Sequence, residues 1–297
     1  MEQSRLLRPM GLLEIIDQSF RLYRATFWPF FGIAVVPSFF VAVAAVALLT
    51  AAHAMQASVM DVESLYGFII ALAVFYVVII AAQVVENAAL TKAIADRYLG
   101  RPVTVRGSYA FVLRRGFVLV VTIMCALLLI LPGMVLLVVP GIIFAFWAAF
   151  MIQALLVEDK RYFAAIMRSR FLIGNGVWAE LLGLLIIMGL IQGVAFYALV
   201  GVFSIPQFIL GERNLVANII AALGNGLGSA FTGPLGPIAT TLMYFNSRIR
   251  KEGFDLQLLA QEMGLPAVAA PAPEGAVKAT EPLPAADIPA DSNDQNP

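Results

Sequence analysis

The 297-residue chain has one cysteine, Cys125, and one histidine, His53. That pair excludes a disulfide framework and any metal site built from Cys and His clusters. Charge is scarce as well: 13% of the residues are Asp, Glu, Lys or Arg, against about a quarter in soluble domains. The sequence has no phosphate-binding Gly-rich loop ending in Lys, no paired zinc-binding histidines and no Gly-x-Ser-x-Gly elbow. No catalytic residue, metal, cofactor or nucleic-acid partner is therefore expected, and the chain is not expected to be an enzyme.

What is present is apolar. Hydrophobic residues make up 61% of the chain and the mean hydropathy is +0.89, so the composition predicts an integral membrane protein. The first segment, "MEQSRLLRPMGLLEIIDQSFRLYRATFW", is too long and too mixed in charge for a secretory leader. Although "AAHA" at 51–54 looks like a small-residue cleavage site, cleavage is not expected after so long a leader.

A hydrocarbon layer about 30 Å thick takes roughly 20 residues of helix at about 1.5 Å rise each. Runs free of charge except for Glu86 and Glu180 near two of the ends convert on that scale to spans near 27–49, 65–88, 179–203 and 214–245. The run 116–157 is too long for one helix. Its "LPG" (131–133) and "VPG" (139–141) breakers suggest a tight hairpin of spans 116–131 and 135–157. The expected fold is all-α, a polytopic bundle of six transmembrane helices with interfacial amphipathic helices.

Six spans place eighteen of the nineteen Lys and Arg residues on one side, Arg213 being the exception. Because basic loops stay in the cytoplasm, both termini are expected there, with Arg248, Arg250 and Lys251 as topology anchors after the last span. Residues 1–263 form the membrane domain. Residues 264–297 carry seven of the sixteen prolines and no aromatics, the composition of a disordered tail.

The basic connections have helical periodicity of their own. In "GLLEIIDQSFRLYRATFW", Leu12, Ile16, Phe20, Tyr23 and Phe27 line one face, and Glu14, Asp17, Arg21 and Arg24 the other. Such a helix lies along the membrane surface. Two similar segments, 102–117 and 159–178, precede the third and fifth spans. A short pattern aligns in all three: Ser19, Leu22, Trp28; Ser108, Phe111, Phe117; Ser169, Leu172, Trp178. Three parallel units, each an interfacial helix and two spans, would explain it, and so would the general likeness of Arg-rich interfacial helices.

Buried ionisable groups in a membrane are candidates for function. Gln83, Glu86 and Asn87, with Lys92 and Asp96 beyond them, form a candidate polar cluster near the cytoplasmic interface, either a solvated collar or a ligand site. Gln153, Gln192, Asn218 and Asn225 are uncharged and suited to bonds between helices, worth roughly 1 kcal/mol each, and Gln153 and Asn225 are also candidates for that polar cluster. In the sixth span Gly224, Gly228, Thr232 and Gly236 recur at four-residue steps, and Gly189 and Gly193 repeat the device in the fifth. They are candidates for close helix packing. Pro234 and Pro237 add a second reading, a broken helix whose freed carbonyls line a cavity.

Three stretches, "LRPMGLLEIIDQSFRLYRATFWPFFGIA", "AALTKAIADRYLGRPVTV" and "GPIATTLMYFNSRIRKEGFDLQLLA", resemble bacterial six-span proteins of the glycerophosphoryl diester phosphodiesterase membrane-domain family. The resemblance covers about residues 6–261, and "RIRKEGFD" carries it most specifically. Where that family usually has Tyr-Tyr-Asp-Leu-Arg, this chain has Tyr244, Phe245, Asn246, Ser247 and Arg248, so the aspartate is missing. The resemblance implies a multi-pass protein of the bacterial inner membrane without the catalytic phosphodiesterase domain. Three functions follow in order of expectation: a non-enzymatic scaffold or accessory subunit in lipid or envelope physiology; a transporter or lipid-binding channel; an intramembrane enzyme. The expected partners are the lipid bilayer and either another membrane protein or a second copy of the chain.

Overall fold

The computed structural model describes residues 9–57, 62–174, 176–211 and 214–253, without the side chains of 53–57 and 64. The proline-rich tail and the side chain of His53 lie outside the described residues. Among the latter the chain is helical and contains no strand. Six stretches are long and apolar enough to span a membrane, so this is a multi-pass membrane protein.

In chain order the helices are α1 Leu12–Ala25, α2 Phe27–Ala57, α3 Val62–Tyr98, α4 Val105–Arg114, α5 Gly116–Leu136, α6 Val138–Trp147, α7 Met151–Glu158, α8 Phe163–Ile173, α9 Val177–Leu210, α10 Leu215–Thr232 and α11 Leu235–Glu252. Local chemistry sets several boundaries. Thr104 caps α4 by accepting from Gly107 N, and Asn214 caps α10 by accepting from Val216 N and Ala217 N. Gly253 closes α11 at φ 59°, in the left-handed region that glycine enters without a Cβ penalty.

The third and fourth spans correct the sequence reading. Instead of ending at 131 and resuming at 135, they run Gly116–Leu136 and Val138–Glu158. The turn is the extended residue Leu137. Pro132 stays inside α5, and Pro140 occupies the third position of α6, where a missing N–H costs nothing. Gly133 and Gly141 let the hairpin close: a Cβ on Gly133 would lie 3.1 Å from Gly141 Cα.

The second and fifth spans also exceed expectation. With 37 residues, α3 is roughly 55 Å long. It passes through a hydrocarbon layer and continues into a second layer of structure on the side that carries the basic residues. The short helices α1, α4 and α8 belong to that layer and share its core, α4 packing on α3 itself.

These three short helices close the chain head to tail. α4 packs on α3, α8 on α7 and α1 on α11, so each caps the second span of the unit before it. The aligned serines are buried at all three sites. Ser19 and Ser108 donate to the carbonyls of Ile15 and Thr104, four residues back. Ser169 instead accepts from Phe150 N at 2.9 Å, across the interruption between α6 and α7. The aligned aromatics Trp28, Phe117 and Trp178 are each the second residue of a span and are exposed at 76%, 77% and 57%. That is the place for a headgroup-level aromatic belt.

The packing is uneven in the apolar layer. α2 packs on α3 and α10, and α9 on α10, whereas the α5–α6 hairpin packs mainly on itself and on α8. Glycine supports the tight side: a Cβ on Gly224 would meet Phe203 Cβ at 2.2 Å, and one on Gly228 would meet Val200 at 2.9 Å. Gly189 and Gly193 do not act this way. A Cβ on either meets nothing within 4 Å, so neither marks a close helix approach among the described residues. Gly224→Ala is expected to destabilise the protein by about 1–3 kcal/mol through overpacking, and Gly189→Ala to leave it unchanged or slightly firmer. Thermal unfolding of both in one detergent checks this; equal shifts would contradict the packing described.

Candidate functional site

The hydrogen-bond ladder of the sixth span is interrupted where its donors run out. Pro234 and Pro237 have no N–H, so the carbonyls of Ala230 and Gly233 lose their helical donors. Two neighbouring carbonyls are taken by side chains: Tyr23 Oη donates to Phe231 O at 2.6 Å, and Gln192 Nε2 to Thr232 O at 2.8 Å. α10 therefore ends at Thr232 and α11 begins at Leu235, with the joint held by one side chain from α1 and one from α9. A similar repair serves the first span. Pro37 cannot donate to Ile33 O, and Tyr109 of α4 does so at 2.5 Å.

Glu86 of α3 faces this joint. Its residue is only 6% exposed, and a Cβ on Gly233 would fall 2.5 Å from its Oε1. Only glycine leaves room for that carboxyl. Among the described residues Glu86 has no hydrogen-bond or ion-pair partner. It lies twelve residues before the end of α3, roughly 18 Å along the axis. The cluster expected around it divides: Lys92 and Asp96 pair with each other further along the helix at 2.5 Å, and Asn87 donates to Gln83 O.

Two cavities of about 380 Å³ each meet at this carboxyl and share Gln83, Glu86 and Ser229 in their walls. The first lies among α2, α3, α9 and α10 and is mainly apolar, with Val41, Ala45, Leu48 and Phe75. It also reaches Ser38, whose hydroxyl is buried without a partner, and Asn225, which donates to its own helix at Ala221 O. The second is polar, lined by Asn87, Gln192, Thr232 and Thr240 beside Gly233, Gly236 and Pro237. Gln153 approaches it from α7 through a 3.4 Å bond to Thr240 Oγ1. Among the described residues Glu86 is the one titratable side chain in either wall.

Of the sequence candidates, Gln83, Glu86, Asn87 and Asn225 thus border the cavities, with Gln153 one bond away. Pro234, Pro237, Gly224 and Gly228 shape the sixth span beside them. Gln192, expected only to tie helices together, stands in the wall and holds the joint. Ser38, Ser229 and Thr240 carry no sequence signal of their own, since a lone hydroxyl in an apolar run is ordinary.

The topology anchors Arg248, Arg250 and Lys251 prove to be fasteners. Arg250 grips both oxygens of Glu180 at 2.8 and 2.9 Å and donates to Met10 O at 2.7 Å. Lys251 Nζ donates to the carbonyls of Phe171 and Gly174 at the end of α8. Arg248 lies with Arg168, Glu158 and Glu252 in a network whose four side chains are all mostly buried. Burial works against the Arg168 charge, but hydrogen bonds to Glu252 and Glu158 hold its pKa above the ordinary value.

No family model, curated protein or solved structure matches the chain.

Burial pushes the Tyr23 phenol from 10.0 up to about 12. A raised value means that the folded state prefers the neutral phenol that donates to Phe231 O. This support is whole below pH 10 and is lost as pH rises through about 12. Tyr23→Phe is expected to cost about 1 kcal/mol at neutral pH and to remove that part of the alkaline loss. Thermal unfolding between pH 7 and 11.5 checks it; an alkaline loss identical in both proteins would go against the assignment.

Proposed function

We propose that the chain is a carrier or binding protein of the bacterial inner membrane, with both termini cytoplasmic, and that it takes a small solute with a cationic head and an apolar body. The observation that carries the reading is the buried, unpartnered carboxyl of Glu86 between two cavities of unlike character. An ionised carboxylate away from water is costly unless a cation or a proton neutralises it. A cationic head beside Glu86 supplies that neutralisation, with hydrogen bonds to Gln83 and Gln192. An apolar body fits the first cavity against Val41, Leu48 and Phe75. The joint at Gly233 and Pro234 gives α11 a point about which to move relative to α10, as in the broken helices of carriers.

The reading is non-enzymatic. A second titratable group to share acid–base work with Glu86 is missing from both walls among the described residues, which argues for binding over bond making. The charge bias along the chain supports the orientation, and the resemblance of "RIRKEGFD" to the phosphodiesterase membrane-domain family supports the bacterial inner membrane. The scaffold reading draws no specific observation from the described residues.

Tetraphenylphosphonium, a cation with an apolar body, is a suitable probe. Purified protein is expected to bind it in neutral nanodiscs, and Glu86→Gln to bind on the order of tenfold or more weakly, the loss of one buried charge pair. Phe75→Ala should weaken binding less. Equal affinity of native and Glu86→Gln protein, both folded by circular dichroism, would sink the proposal.

A further inference from the structure

We infer a second site, separate from the Glu86 cavities, that binds a phosphate group at the junction of the first unit. A cavity of about 360 Å³ opens where α1 passes into α2 and α3 ends. Three arginines line it, Arg24 from the last turn of α1, Arg97 from the last turn of α3, and Arg101 just beyond. Arg24 and Arg97 have no ion-pair or hydrogen-bond partner among the described residues. Arg101 reaches Asp96 only at 3.9 Å, and Asp96 is already held by Lys92. Net positive charge is therefore left facing one small space.

At the other two junctions several of the basic side chains are paired. Arg115, before the third span, pairs with Asp159 at 2.7 Å. Near the start of the fifth span, Glu180 is met by Arg250 and the carbonyls ending α8 by Lys251. Three guanidiniums gathered around one cavity are not required by the helix packing itself. Thr26 supplies a second observation. It lines the same cavity, and its hydroxyl is buried without a partner.

Guanidinium forks suit phosphate oxygens better than any other common anion. Depth favours a lipid as the source, because the cavity includes Trp28, the exposed aromatic at the start of the first span, and such residues sit at headgroup level. The headgroup phosphate of an anionic phospholipid would lie among Arg24, Arg97 and Arg101, with its acyl chains running along α2 beyond Trp28. A soluble phosphate would use the same arginines and leave Trp28 unused.

Native mass spectrometry of the full chain in neutral detergent tests this, with titrations of short-chain phosphatidylglycerol, short-chain phosphatidylcholine and inorganic phosphate. The native protein should bind one phosphatidylglycerol in preference to phosphatidylcholine. Arg24→Gln with Arg97→Gln should weaken it by about fivefold for each guanidinium lost, while Arg106→Gln with Arg114→Gln, equal in charge and exposed elsewhere, should not. If the double variant does not fold, Arg97→Gln alone should still show the fivefold loss. Inorganic phosphate competing as well as the lipid would support the site and assign it to a soluble anion. Equal weakening by both pairs, or equal binding of phosphatidylcholine, would overturn it.

Discussion

Asn246 holds the peptide groups of Met10 from both directions, accepting from its N–H at 2.8 Å and donating to its carbonyl at 3.0 Å. The residue is fully buried and follows two aromatic residues that gather the rest of the basic end. Phe245 stacks on Tyr98 at the close of α3, and Tyr244 meets Phe150 at the start of α7 and donates to Glu158 at its end. The second spans of all three units therefore converge on three consecutive residues of α11. Arg168, shared between Glu158 and Glu252, ties α8 to the same point. Removing one partner from such a buried network costs about 3–5 kcal/mol, so the junction is strongly coupled. The long spans can then diverge in the apolar layer, where α5 and α6 pack little on the others, without losing their mutual order.

The cavities lie on the other side, among α2, α3, α9, α10 and α11. A bundle packed evenly along its length would bury Glu86 against apolar side chains and leave its charge unmatched. Here the close approach of α9 and α10 at Gly224 and Gly228 is confined to one face of α10, and the ladder of the sixth span is interrupted at Gly233, just where Glu86 arrives. Proline removes donors at the interruption, and Tyr23 and Gln192 replace them. The joint is thus kept by side chains, which can exchange partners more easily than a continuous helical ladder.

The spans were legible in the sequence because length and charge are counted along the chain. The hairpin turn was not, because proline breaks a helix only away from its first turn, and which turn Pro140 occupies depends on where the chain reverses. Gly189 and Gly193 have the spacing of a packing motif, but spacing does not reveal whether a helix faces them. Glu86 could be ranked as a candidate but not separated from Lys92 and Asp96, since the gap at Gly233 that receives it lies almost 150 residues away. Arg248, Arg250 and Lys251 satisfied the charge bias so fully that their bonds to Glu158, Glu180 and α8 had no separate signal. Asn246, where the resembling family usually has aspartate, could not be read as a two-way amide clamp. Aspartate could accept from Met10 N but not donate to its carbonyl.

The central claim is that the buried carboxyl of Glu86 receives a cation. Infrared difference spectroscopy of the protein in nanodiscs, with and without tetraphenylphosphonium, observes that group itself. Binding should produce a carboxyl band change that is absent in Glu86→Gln while the amide bands of both proteins agree. A carboxyl difference band of the same size in native and variant protein would show that the cation is received elsewhere.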